Sequence, residues 1–162
     1  MNTLAVNLLL AVLWSAFFGN FGLLVLGSGF VLAYLVMWLL QPLTGGPSPY
    51  FARVFYWIKL AILFLYELVV SSLQVLWDIV TPGYNARPAI IEVPLDVKSD
   101  AGILLVTNLI SLTPGTLSLD VSEDRKTLSI HAMFADDSAA VCQTIKSGME
   151  KWVIDAVEGR RA

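Results

Sequence analysis

A glutamate in the middle of a long apolar stretch is the residue most able to do chemistry in this chain. Glu67 stands among aliphatic and aromatic residues, and a carboxylate surrounded by lipid costs roughly 3 kcal/mol even on lenient scales. At 100° per residue of a helix, three more polar side chains fall within about 40° of it. Together they form one polar stripe, which consists of Glu67, Ser71, Gln74 and Asp78.

Two roles are open for this polar stripe. It could belong to a proton or cation path, or it could be the face by which the helix packs on a partner helix, with Glu67 paired or protonated there. A path needs several ionisable groups in series, and this stretch supplies one at mid-depth, so we favour the packing interpretation. Lys59 lies two turns from Glu67 and can extend to the membrane interface instead of pairing with it.

The remaining reactive side chains predict neither an enzyme nor a cofactor. His131 is the only histidine and falls on the exposed side of a predicted strand, so no metal site is expected. Cys142 is the only cysteine; it cannot form an intramolecular disulfide, which weakly favours the cytoplasm, and it faces the predicted core as a small hydrophobe. The sequence has no phosphate loop, no pair of nucleophile and base, and no CxxC motif.

The charges divide the chain into two parts. The sequence is 57% hydrophobic and 14% charged, which lies outside the usual range for a soluble domain. Only four of the 23 charged residues precede position 81, and the rest comprise 11 acidic and 8 basic residues. We therefore predict a membrane region at 1–82 and a soluble domain at 83–162. The net charge of −3 gives no basic surface for nucleic acid.

Three hydrophobic helices are predicted in the membrane region, at about 4–18, 22–40 and 54–80. The first two are at or just below the ~20 residues of a comfortable crossing. They are interpreted as a short hairpin, or alternatively as one that enters the bilayer only with the support of neighbouring proteins. Small residues at Gly22, Gly29 and Ala33 could form a packing face, or reflect the ordinary use of glycine in membrane helices.

The third hydrophobic stretch has aromatic residues at both ends. Tyr56 and Trp57 stand about 30 Å from Trp77 in a helix, which is the thickness of the hydrocarbon core. Because amphipathic rings prefer the two membrane interfaces, residues 54–80 are predicted to span the membrane. Prolines and glycines at 41–49 predict an interfacial loop before it.

The second half has the pattern β-α-β-β-α. Alternating apolar residues from Ala89 predict a strand, and Pro94 makes it an edge strand or a bulge. Ser99 offers a helix cap, although 103–112 could also be a buried strand. A hairpin over 117–132 and a last helix capped at 136–138 complete a small α+β domain with a truncated ferredoxin-like arrangement.

One turn and the strands after it carry a resemblance to a known family. The stretches at 108–120 and 127–131 resemble the E subunits of the bacterial multisubunit Mrp (Mnh, Pha) cation/proton antiporters, and the resemblance extends over the whole chain. Its most recognisable part is the turn motif Thr113, Pro114, Gly115 and Thr116.

This resemblance implies a multi-pass protein of the bacterial inner membrane with its C-terminal domain in the cytoplasm. It implies other membrane subunits and the lipid bilayer as partners, in a complex that exchanges sodium for protons and supports pH and salt homeostasis. In that family the large subunits, which resemble the proton-pumping subunits of respiratory complex I, do most of the ion conduction. The expected role is therefore accessory: assembly, stability or regulation.

Overall fold

Helices dominate the first part of the chain, and a three-stranded sheet with helices follows. The computed structural model describes residues 3–43, 48–83 and 86–159, so residues 44–47 of the predicted interfacial loop lie outside the described residues. By its internal contacts the chain divides into two units, Met1–Val54 and Phe55–Ala162. The predicted boundary at residue 82 separates lipid from water, which these contacts do not test, and it stays a prediction.

Two short apolar helices make up most of the first unit, and they meet through small residues. Helix α1 covers Thr3–Phe17 and α2 covers Leu23–Leu39. Gly29 and Ala33 are buried on α2, and a β-carbon added to Gly29 would lie 2.8 Å from Cδ1 of Trp14. The close approach therefore occurs at two of the three predicted small positions, whereas Gly22 is exposed.

The third helix, α3, covers Pro49–Val80 and begins five residues earlier than the sequence pattern indicates. Proline is well suited to the first position of a helix, because its missing N–H has no partner there in any case. Of the helices in the described ranges, α3 is the one whose length and composition would allow it to cross a membrane. Most of α3, from Phe55 onward, belongs to the second unit.

The sheet of the second unit has three antiparallel strands in the order β1-β3-β2. Strand β1 covers Ala89–Pro94, β2 covers Thr116–Val121 and β3 covers Thr127–Ala132. The central strand β3 pairs with β1 on one side and with β2 on the other. The edge position of β1 fits Pro94, which has no N–H to donate.

The helices of the second unit begin at the predicted caps. Helix α4 covers Asp100–Leu112, so this segment is a helix and not the alternative buried strand; the Ser99 hydroxyl accepts the Gly102 N–H at 3.2 Å. The Asp137 carboxylate caps α5, Ser138–Ile145. The chain then continues through a wide π-helical turn, kinked at Gly148, into α6, Lys151–Val153, and a second π-helical turn.

The core of the second unit lies between one face of the sheet and its helices. Fully buried side chains come from β1, β3, α4 and α6; among them are Val93, Val106, Ile110, Leu128, Ile130 and Val153. Leu60 of α3 joins this core and is only 4% exposed. On β2, Leu117 and Leu119 point away from the core and are about half exposed, while Ser118 donates inward to the Thr107 carbonyl at 2.9 Å. Val121, after the irregularity in this strand, packs against the core.

Candidate functional site on the third helix

A cavity of about 490 Å³ lies within the second unit, between α3 and the α+β part of the chain. Its wall combines both groups of residues that the sequence singles out. Three of the four stripe residues line it, and so does the whole predicted turn motif; these are Glu67, Ser71, Gln74, Thr113, Pro114, Gly115 and Thr116. Asp78 is not among the described lining residues. The polar stripe and the turn motif, about forty residues apart in sequence, thus belong to one site.

The residues of the polar stripe differ in exposure. Ser71 is buried, Glu67 is half-buried and Gln74 is exposed. The Ser71 hydroxyl donates to the Glu67 carbonyl at 2.8 Å and approaches the Leu68 carbonyl at 3.3 Å. Serine in a helix commonly satisfies its hydroxyl in this way. Ser71 therefore needs no outside partner, and Glu67 is the member of the stripe that brings charge to the cavity.

The turn motif is shaped by the end of α4. Two carbonyls in the last turn of this helix accept threonine hydroxyls: Thr113 donates to Leu109 at 2.8 Å, and Thr116 donates to Ile110 at 2.7 Å. Between them Gly115 has φ of +87°, a conformation that side chains disfavour. The motif therefore ends a helix and begins β2 within a few residues, and it brings Gly115 beside Val75 of α3, 3.6 Å from where a β-carbon would stand.

The chemistry available in the cavity is limited. Of the described residues that line it, Glu67 is the one with a titratable side chain; the other polar groups are hydroxyls and an amide. The rest of the wall is apolar and includes Phe134, Met149 and Trp152. A single carboxylate cannot pass protons along a series of groups, but such a wall can hold an apolar group and orient it by one or two hydrogen bonds.

A second polar cluster, which the sequence pattern did not predict, lies around Glu150. This carboxylate is 1% exposed and accepts the backbone N–H groups of Asp96 and Val97 at 2.6 and 3.1 Å. The ammonium of Lys146 lies 3.6 Å from it and 2.8 Å from the Asp96 carboxylate. Burial of Lys146 opposes its charge, yet the bond to Asp96 and the charges of Glu150 and Asp96 outweigh this and raise the Lys146 pKa.

Glu158 repeats this arrangement two turns further along the last helix. It accepts the N–H groups of Lys98 and Ser99, both at 2.7 Å. The two glutamates therefore hold the connection between β1 and α4 from one side. The only sequence signal was the spacing of four residues between Lys146 and Glu150, which suits a helical ion pair.

The other two candidate residues, Cys142 and His131, lie among residues of the core and the sheet. Cys142 is half-buried and packs against the core. His131 is half-buried on β3 and stands opposite Ile90 and Leu117 in the neighbouring strands. Within the described ranges, His, Cys, Asp and Glu form no group of three that could hold a metal ion.

Comparison with known sequences defines the class of protein. Residues 7–156 match the family described as "Na+/H+ ion antiporter subunit". The chain is 35% identical over 156 residues to the E1 subunit of the Na+/H+ antiporter of Staphylococcus saprophyticus, covering 94% of this chain and 95% of that protein. It is 31% identical over 152 residues to the corresponding E subunit of Alkalihalophilus pseudofirmus, covering 94% and 96%. This is a membrane protein of the antiporter class.

Solved structures share the fold. A chain of the membrane-bound sulfane sulfur reductase, an archaeal respiratory membrane complex, aligns with a TM-score of 0.57 at 23% identity, over 96% of this chain and 97% of that one. A chain of the Mrp complex from Dietzia sp. aligns with a TM-score of 0.50 at 22% identity, over 60% and 91%. The protein belongs to the family of Na+/H+ antiporter E subunits, which confirms the resemblance predicted from the turn motif.

Proposed function

We propose that this protein is an accessory integral-membrane subunit of a multisubunit sodium/proton antiporter, and that it supports the assembly, stability or regulation of the complex in monovalent cation and pH homeostasis. The observation that carries the proposal is the family match over nearly the whole chain. The presence of one titratable group among the described residues of the cavity supports an accessory role over a direct part in ion transfer. Its partners are the other membrane subunits and the lipid bilayer; in support, the similar Dietzia chain is part of a complex by its name.

The finer architecture is part of the same proposal. Helices α1 and α2 form a hairpin in the bacterial inner membrane, which makes the protein multi-pass, and the α+β domain lies in the cytoplasm. Its strand order, with β3 antiparallel to both β1 and β2, supports a truncated ferredoxin-like arrangement.

The accessory role is tested by removing the chain from the cells that carry the antiporter. We expect deletion to reduce the amount of assembled complex in mild detergent and to reduce growth in high sodium, and expression of the chain in trans to restore both. An antiporter that assembles and exchanges ions normally without this chain would contradict the proposal.

An alternative function is a direct contribution of Glu67 to the proton or cation path. Glu67→Gln keeps the shape of the side chain and removes its charge, and Glu123→Gln is a matched control because Glu123 is exposed and far along the chain. In the accessory role both variants should leave the transport rate of the assembled complex unchanged. A loss of transport in Glu67→Gln alone, with assembly intact, would favour the direct path.

A further alternative makes the α+β domain a membrane-anchored sensor. The cavity gives this alternative a place for a ligand, but its wall has one carboxylate and no described basic side chain, which does not suit a nucleotide. Saturable binding of a nucleotide or ion to the purified chain, lost in a variant with a filled cavity such as Ala140→Trp, would support the sensor.

A further inference from the structure

The exposed side of α3 is apolar, whereas the side that faces the α+β part also carries polar residues. With Leu60 as the origin of a helical wheel, the residues packed on the α+β part lie within about 60° of it. From Phe55 onward, the residues within about 40° of the opposite direction are all bulky, apolar and exposed. We call them the outer stripe, which consists of Phe55, Ile58, Ile62, Leu65, Val69, Leu73, Leu76 and Val80.

The packed face extends along most of α3. Tyr56, Leu60 and Phe64 contact the core of the second unit, Glu67, Ser71 and Gln74 line its cavity, and Val75 lies beside Gly115. The residues that contact the α+β part or line the cavity extend over about 28 Å of helix at 1.5 Å per residue. They leave seven residues of α3 before Tyr56 and five after Val75, which amount to about 10 and 8 Å.

A helix packed in this way cannot cross a bilayer. The hydrocarbon core is about 30 Å thick, so a crossing α3 would carry the α+β part into lipid together with it. The described sheet has open edges at β1 and β2, and open sheet edges do not occur in hydrocarbon because their N–H and C=O groups would lose every partner.

We propose that α3 lies in the plane of the membrane surface, with the outer stripe in the acyl chains of one leaflet and the α+β domain on its aqueous side. This inference rests on the proposed function, which makes the protein a membrane subunit. An in-plane α3 replaces the membrane-spanning α3 that the spacing of Trp57 and Trp77 predicts. Aromatic rings at both ends of a helix are also compatible with a helix that lies parallel to the membrane surface.

The composition of α3 favours lipid over a partner helix as the occupant of the outer stripe. Helix contacts within membranes use small residues that allow close approach, and the outer stripe contains none. Along one flank, about 60–80° from its centre, stand Lys59, Tyr66 and Trp77, all exposed. A cation that extends to the headgroups and amphipathic rings at the edge of an apolar face are typical of helices lying in the interface.

The first experiment compares the two ends of α3. Single cysteines at Arg53, Pro82 and Glu123 are introduced in a Cys142→Ala background, in cells that contain the whole complex, and an impermeant thiol reagent is applied to cells and to inverted vesicles. We expect all three sites to react from the same side. Reaction of Arg53→Cys and Pro82→Cys from opposite sides would overturn the proposal.

A control cysteine separates this inference from the proposed function. Asn20→Cys reports the link between α1 and α2, and in the proposed hairpin it reacts from the side opposite to Glu123→Cys. If Asn20→Cys reacts on the same side, the two-pass hairpin fails, while the ends of α3 still decide its own orientation.

The second experiment measures depth directly. Spin labels at Ile62→Cys and Leu73→Cys stand about 16 Å apart along α3 and both belong to the outer stripe. In bilayers of phosphatidylethanolamine and phosphatidylglycerol, relaxation by oxygen and by a water-soluble nickel chelate should give the same depth for both labels. Depths that differ by about 16 Å would contradict an in-plane helix, and labels shielded from oxygen would identify a protein partner in place of lipid.

Discussion

The buried carboxylate of Glu150 is one of two that hold the connection between β1 and α4. Glu150→Ala removes the acceptor of two backbone N–H groups and leaves Lys146 without one of its anions. Breaking such a buried pair from one side costs about 3 kcal/mol. We expect the free energy of unfolding, measured by urea titration in detergent, to fall by about that amount.

Two further variants test the cause of this loss. Glu150→Gln retains an acceptor oxygen and should lose less than half as much, and Glu123→Gln at an exposed position should lose almost nothing. Equal losses for Glu150→Ala and Glu150→Gln would mean that charge, and not the hydrogen bonds, holds the connection.

The ion cluster of Lys146 predicts a dependence of stability on alkaline pH. Its pKa is raised above the ordinary 10.5, so the folded state binds this proton more tightly than the unfolded chain does. The stabilisation is therefore complete below pH 10.5 and is lost as pH rises through the higher pKa of the folded state. The difference in unfolding free energy between wild type and Lys146→Met should be constant up to about pH 10 and shrink above it.

Lys151→Met provides the matched control for this pH series, because Lys151 is exposed on the same helix. Its difference from wild type should be small at every pH, when unfolding is followed by circular dichroism. A Lys146→Met difference that grows above pH 10.5 would show that the sign of the linkage is wrong.

The packing of α1 on α2 needs a glycine at one position of α2 but not at another. A β-carbon at Gly29 would lie 2.8 and 2.9 Å from atoms of Trp14, whereas one at Gly27 would meet nothing within 4 Å. Overpacking of this kind costs about 1–3 kcal/mol, so we expect Gly29→Ala to lower the unfolding temperature in detergent. Gly27→Ala should leave it unchanged or raise it slightly, because alanine favours a helix; similar losses in both would contradict a specific contact.

Two alternative domain boundaries can be tested by comparing the stability of the fragments that they define. One follows the charge distribution and gives residues 83–162, and the other follows the contacts and gives residues 55–162. The longer fragment keeps Leu60 in the core, which is worth about 2 kcal/mol or more by analogy with leucine truncations. We expect residues 55–162 to unfold at the higher denaturant concentration, with detergent present to cover the outer stripe.

A single substitution in the longer fragment tests whether Leu60 causes its higher stability. Leu60→Ala should remove much of its advantage, while Ile62→Ala, at a side chain that is 61% exposed, should not. Fragments of equal stability would mean that α3 contributes nothing to the α+β core and that the division at residue 82 is the better description.

Local patterns in the sequence were sufficient for the elements and the family. The caps at Ser99 and Asp137, the hairpin of β2 and β3 and the edge strand ending at Pro94 follow from short-range chemistry, in which the deciding atoms stand within a few residues of each other. The turn Thr113–Thr116 and the strands after it predict the family by resemblance, and in the structure this turn lies between the end of α4 and the start of β2.

Tertiary structure decided which way these elements face. The alternation in β2 could not reveal that Leu117 and Leu119 point outward, because the choice depends on α4, whose carbonyls near its end draw the hydroxyls of Thr116 and Ser118 inward. The sequence pattern favours the stripe of Glu67 as a surface for another chain, whereas in the structure three of its four residues line a cavity shared with a turn about forty residues away. Helical periodicity shows that a face is polar, but what covers the face is set by contacts between residues far apart in sequence.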